Sequence, residues 1–294
     1  MGWLQLETSV GQSEPGILEA ELEKLGAISI TLRDAGDEPL LEPAPGETPL
    51  WSSTRVSALF PDDAEPEKLS AALHDLIDAS ELNYTRIEDI DWQTSWQQRL
   101  SARRFGERLW VVPHDHEQTP AGSAVVRLEP GLAFGTGEHA TTALCLEWLD
   151  ANIREGDRVL DYGCGSGVLA IAALALGAAS VCAVDIDTQA LDATRNNAIN
   201  NGCDDRLRAV HPNVVDNSQR FDVLVANIVS GTLIELGTAL EGMMRPGARL
   251  ASAGILAHQA DDIAAAWSGW ANMRVTQQRR NWVLMTGTKL KSSD

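Results

Sequence analysis

"LDYGCGSGVLAIAA" (Leu160 to Ala173) opens on an apolar run, turns through three glycines and continues as an alanine-rich apolar run. The first part reads as the end of a buried strand. The last reads as a helix beginning near Val168. In open α/β sheets, ligands bind where a strand's carboxyl end turns into the next helix. Gly163, Gly165 and Gly167 form G-x-G-x-G. The dinucleotide fingerprint G-x-G-x-x-G needs glycine at 168, where this chain has valine, so NAD and FAD fit poorly. A tight strand-to-helix turn with no ligand is the alternative at this point.

Working outward from that turn, the same unit repeats. "SVCAVDID" (Ser180 to Asp187) is a second strand, with a helix from Gln189 to Asn200. Asp185 lies one β-α-β step beyond Gly163, where a carboxylate accepts hydrogen bonds from ribose hydroxyls. Asp187 reads as a helix N-cap. Asp161 followed by G-x-G-x-G, with Asp185 one step on, is the pattern of S-adenosylmethionine sites, in which glycine lets backbone approach the ribose and methionine portions. Arg206 to Val210, Asp222 to Ile228 and Ala248 to Gly254 are further strands. Helices over Thr232 to Met244 and Leu256 to Trp267 separate the later ones. "NMRVTQQRR" and "NWVLMTGTKL" read as a pair of antiparallel edge strands. Alternating strands and helices predict an α/β, doubly wound, Rossmann-like sheet. "VANIVSG" (Val225 to Gly231) places Asn227 at a strand end. Its carbonyl oxygen is suited to accept a hydrogen bond from an amine; an Asn that merely closes a turn is the plainer alternative.

The first ninety residues follow another pattern. Strands over Trp3 to Ser9, Ile28 to Leu32, Thr54 to Phe60 and Asn83 to Ile90 alternate with helices over Glu14 to Ala27 and Glu65 to Asp78. The order β-α-β-β-α-β predicts a ferredoxin-like α+β domain over residues 1–90. Residues 91–104 read as a linker helix on which Trp92 and Trp96 share a face, docking the linker or offering an aromatic contact surface. The remaining 105–294 form the second domain. It begins with strands over Arg108 to Pro113 and Ser123 to Pro130.

Composition narrows the classes. The formal charge of −19 and a pI of about 4.6 disfavour direct nucleic-acid binding and suit a basic protein partner or simple solubility. The four cysteines have no C-x-x-C pair and read as buried thiols. "PHDHE" (Pro113 to Glu117) reads as a solvated loop, and no metal site is expected. Only Lys24, Lys68, Lys289 and Lys291 are lysines, so no lysine of the central chain grips phosphate. No apolar run reaches the ~20 residues of a membrane span, and the N-terminus lacks a signal-peptide pattern. A cytoplasmic monomer is expected.

"EPGLAFGTGEHATT" (Glu129 to Thr142) also looks like a phosphate cradle, but it has no lysine and precedes the first strand of the sheet. It reads as a separate wall of the cofactor pocket. Gly135 and Gly137 give its backbone freedom to close, Phe134 packs on the cofactor or the acceptor, and Thr142 offers a hydroxyl. With "LDYGCGSG", "VDID" and "VANI" following in order, this loop makes the whole chain resemble the ribosomal protein methyltransferases of the PrmA family. That resemblance implies a class I S-adenosylmethionine-dependent fold and methylation of lysine side chains and the N-terminal α-amine of the eleventh protein of the large ribosomal subunit. It implies cofactor contacts at Thr142, Gly163, Asp185 and Asn227, with Gly165 in the same loop. It also implies an N-terminal domain that recognises the ribosomal protein, free or on the ribosome. Asn227 positions the amine. No general base is required; Glu138 and His139 are the nearest candidates, and His139 reads more simply as a helix cap. Asn227 is followed by Ile228, Val229 and Ser230 rather than Pro-Pro-aromatic, which disfavours planar amides and bases. Another amine substrate, or a non-enzymatic nucleotide-binding module, are the competing readings.

Overall fold

The computed structural model describes residues 2–11, 15–35, 52–77, 81–88, 101–116, 119–128, 139–216 and 218–291. They divide into two compact units, Met1–Ser95 and Trp96–Asp294.

In the first unit the chain runs β1 (Gly2–Gly11), α1 (Pro15–Lys24), β2 (Ser29–Asp34), β3 (Ser53–Pro61), α2 (Pro66–Leu73) and β4 (Asn83–Glu88). The sheet order is β2-β3-β1-β4, with every neighbouring pair antiparallel. This is the ferredoxin-like arrangement. Strand alternation sends Leu4, Leu6 and Val10 of β1 and Val56, Ala58 and Phe60 of β3 to one face. Leu18 and Leu22 of α1 and Leu69 and Leu73 of α2 close that face into one core. α2 is shorter than its sequence pattern predicts, ending at Leu73 before a turn. Ile90 and the expected linker residues 91–100, including Trp92 and Trp96, lie outside the described residues.

The second unit opens with a small sheet: β5 (Arg103–Phe105), β6 (Leu109–Pro113) and β7 (Ala124–Leu128). β5 pairs antiparallel with β6, and β6 parallel with β7. Arg103 and Arg104, where the linker helix was expected to end, are strand. Next come α3 (Ala140–Asn152), β8 (Arg158–Tyr162), α4 (Val168–Ala175), β9 (Ser180–Val184), α5 (Thr188–Asn200), β10 (Leu207–Val210) and β11 (Phe221–Asn227). The unit ends with α6 (Ser230–Met243), β12 (Met244–Leu256), α7 (Ala260–Trp267), β13 (Arg274–Arg279) and β14 (Trp282–Thr288). The seven-stranded order is β10-β9-β8-β11-β12-β14-β13. β8 to β12 are parallel, while β14 enters antiparallel to β12 and β13. The two last strands are therefore not both at the edge: β14 is interior and β13 alone forms the rim. Their patterns say so, since β13 is exposed throughout and β14 buries Val283, Leu284 and Met285.

α3, α4 and α5 cover one face of this sheet with an apolar core, and α6 and α7 cover the other. Buried polar anchors fix the layers. Asp150 at the end of α3 accepts hydrogen bonds from the amides of Glu107 (2.7 Å) and Arg108 (3.2 Å), tying the small sheet to the large one. Arg249 of β12 pairs with Asp157 at 2.5 Å and donates to the Asn152 carbonyl, holding the lower end of α3.

Candidate active site

The sheet changes winding direction between β8 and β11, and the carboxyl ends of β8, β9 and β11 meet there. A crevice at that point follows from the topology. The loop after β8 takes Gly163, Gly165 and Gly167 through φ of 83°, 53° and 79°, a region that side chains rarely enter. A Cβ at Gly163 would also collide with the side chain of Ile228. Gly163 is thus demanded by packing, apart from any ligand.

The loop is pinned from three sides. The amides of Gly163 and Cys164 both donate to the Val184 carbonyl, at 2.7 and 3.0 Å. The hydroxyl of Thr194 on α5 donates to the Gly165 carbonyl at 3.0 Å, and Asn197 Nδ2 to the Ser166 carbonyl at 2.9 Å. The Gly165 amide donates to Asp185 Oδ2 at 2.9 Å, and the Asp187 amide to Asp185 Oδ1 at 3.0 Å. Asp185 follows the last residue of β9 and holds the glycine loop to that strand end, a task the sequence does not suggest. Each of its oxygens keeps a second lone pair facing partly exposed surroundings. Asp187 caps α5 through Gln189, as its position predicts.

On the other side of the switch point, Asn227 closes β11. Its Nδ2 donates to Thr142 Oγ1 at 3.2 Å, across 85 positions of sequence. Thr142 is buried in the first turn of α3. With Nδ2 engaged, Asn227 Oδ1 retains its acceptor capacity. His139 caps α3: its Nδ1 meets Thr141 Oγ1 at 2.7 Å and the Thr141 amide at 3.4 Å. Its ring lies edge-on to Trp282, centroids 5.2 Å apart, and burial lowers its pKa. Phe134, Gly135, Gly137 and Glu138 lie outside the described residues.

The acid that opens the glycine motif has surroundings its place in the pattern does not suggest. Asp161, inside β8 under the glycine loop, is fully buried, and neither carboxylate oxygen has a hydrogen-bond partner. Burial pushes its pKa up to about 7; the Ala170 amide, short of a formed bond, lowers it and the charge of Asp185 raises it. The thiols of Cys145 and Cys164 are pushed up by burial and by Asp161. The sequence signal was an acid inside an apolar strand, which in the motif served only as punctuation.

A family model described as "Ribosomal protein L11 methyltransferase (PrmA)" matches residues 2–290. The chain belongs to the PrmA family. A relative from Azotobacter vinelandii, named ribosomal protein L11 methyltransferase, is 46% identical over 292 residues, covering 98% of this chain and all of its own. One of the same name from Pseudomonas aeruginosa is 44% identical over 291 residues, covering 98% of this chain and 99% of its own. A crystal structure of ribosomal protein L11 methylase from Lactobacillus delbrueckii subsp. bulgaricus matches with a TM-score of 0.59 and 29% identity. It covers 65% of this chain and 99% of that one.

PrmA membership raises the question whether these residues fit S-adenosylmethionine. They do by donor set. Gly163 and Gly165 leave backbone partly exposed, Asp185 offers carboxylate lone pairs, and a buried carboxylate without a partner suits a ligand that carries net positive charge. Among the described residues no cluster of His, Cys, Asp or Glu has the geometry of a metal site, and no helix is long and apolar enough to cross a membrane.

Proposed function

We propose that this chain methylates amines of large-subunit ribosomal protein eleven from S-adenosylmethionine, with Asn227 positioning the acceptor nitrogen and the Gly163–Gly167 loop, Asp185 and Thr142 holding the cofactor. The Asn227–Thr142 hydrogen bond carries this reading, because it ties the start of α3 to the strand end beside the glycine loop. The acceptors are lysine side chains and the N-terminal α-amine.

Bound S-adenosylmethionine supplies a methyl group on a positively charged sulfur. An acceptor lysine has a pKa of ~10.4 and must be neutral when its nitrogen attacks. Asn227 Oδ1 accepts from the amine N–H, which turns the lone pair toward the crevice. His139 is engaged in capping α3, so the proton leaves to solvent when the amine enters. The main contribution of the protein is position. The N-terminal domain recognises the ribosomal protein, free or on the ribosome, and the acidic surface attracts a basic partner. The enzyme acts as a monomer in the cytoplasm, where ribosomal proteins are made. Mixing the protein with radiolabelled S-adenosylmethionine and unmodified protein eleven should label that protein. Asn227→Ala should lower turnover by ~10²-fold with a smaller change in cofactor affinity. Label on RNA, or equal turnover in the variant, would overturn the reading.

A further inference from the structure

A second cavity lies on the outer side of the same helical turn that carries Thr142. It has a volume of about 390 Å³ and is lined by Arg103 and Phe105 of β5, His139, Ala140 and Ala143 at the start of α3, and Arg279, Arg280 and Trp282 of the β13–β14 hairpin. Thr142 faces Asn227 across the turn, so the cavity sits about one helix diameter, roughly 10 Å, from the amine position. Among the described residues three arginines and no carboxylate line it, with Glu147 pairing with Arg279 from outside the lining, in a chain of net charge −19.

Arg280 is the unusual member. Arg279 pairs with Trp282, so the hairpin turns through Arg280 and Asn281 alone. Arg280 has φ of 53°, the only positive φ among non-glycine described residues. A two-residue turn with positive φ at its first central position takes glycine there. A long side chain at that position is strained, and such strain persists where the side chain has a use. Among the described residues no acceptor takes up its exposed guanidinium, whereas Arg279 is paired with Glu147 at 2.5 Å. The aromatic walls are fixed: Phe105 is buried and Trp282 is braced by His139.

We propose that this cavity is an accessory site in which Arg280, supported by Arg103 and Arg279, receives a carboxylate that the acceptor protein carries a few residues from the amine to be methylated. It rests on the function proposed above and adds the feature by which one amine is chosen over others. Extended chain advances ~3.3 Å per residue, so two to four residues span the gap. The planar guanidinium matches a carboxylate in two parallel hydrogen bonds. The acidity of the molecule as a whole favours a protein carboxylate over an RNA phosphate.

Arg280→Gly separates the site from the architecture, because glycine relieves the turn while removing the charge. The variant should melt at a higher temperature than wild type and bind S-adenosylmethionine equally. Its KM for unmodified protein eleven should rise about tenfold at low salt with kcat unchanged, and the difference should shrink as salt is raised. Arg103→Gln should raise the KM in the same direction. One acidic residue of the acceptor, changed to its amide, should reproduce the rise and add nothing in the Arg280→Gly background. An active wild type whose KM is unchanged in Arg280→Gly overturns the site alone. So does a KM effect that no acceptor carboxylate reproduces, or one seen only with ribosomal RNA present. A wild type that binds cofactor but labels no protein eleven overturns the function and this site together.

Discussion

Asp161 ties the stability of the fold to pH through one buried side chain. An unfolded Asp titrates near 3.9, and burial raises the folded value to about 7. Between those values the folded protein holds a proton that the unfolded chain has released. Stability of the cofactor-free protein therefore falls as pH rises from about 4 to about 7 and levels off above. Asp161→Asn should remove that slope and stabilise the cofactor-free protein at pH 8 by on the order of 1–3 kcal/mol, read from Tm against pH. The same substitution should weaken S-adenosylmethionine, and wild-type affinity should drop as pH falls from 8 to 6, measured by calorimetry. A variant that gains stability and loses no affinity would show that the buried charge has no ligand to meet. Asp185 is a second case: its carboxylate accepts from the Gly165 amide, so its removal disturbs the loop as well as the ribose contact proposed for it.

At the scale of elements, the turn of the small β5–β7 sheet leans on one residue of another element, while Asn201 holds β7 through the Arg127 backbone. Asp150 satisfies two backbone amides in the turn between β5 and β6, and Gly106 in that turn leaves no room for a side chain beside it. Asp150→Ala would orphan both amides and should cost about 1–3 kcal/mol in urea denaturation, with cofactor binding retained. The sequence pattern gave no hint of β5: three residues, two of them charged, carry no period. β13 and β14 show the opposite. Both were legible as strands, yet their places in the sheet depend on which of them finds β12, and only the buried run Val283 to Met285 suits an interior position.

Over the whole molecule, the chain divides into two compact units, and each should be separable. Deleting residues 1–90 should leave S-adenosylmethionine affinity unchanged and abolish methylation of the ribosomal protein. Persistent methylation would remove the recognition role from the first unit. Both folds were readable from one dimension because their signals are local. Period-two runs, helical spacing and glycine punctuation depend on neighbours in sequence, and G-x-G-x-G with Asp185 repeats at the interval of one β-α-β step. Thr142 and Asn227 were each legible as motif residues, as was the helix cap at His139. Their meeting was not, because a hydrogen bond across 85 positions exists only once α3 lies over β11. The isolation of Asp161 and the exposed, strained Arg280 were equally hidden, since burial and backbone angle are properties of packed neighbours. The sequence by itself determined the two folds, the family and the glycine loop at the switch point; tertiary structure alone decided which side chains face one another, because close packing brings together residues that the chain keeps apart.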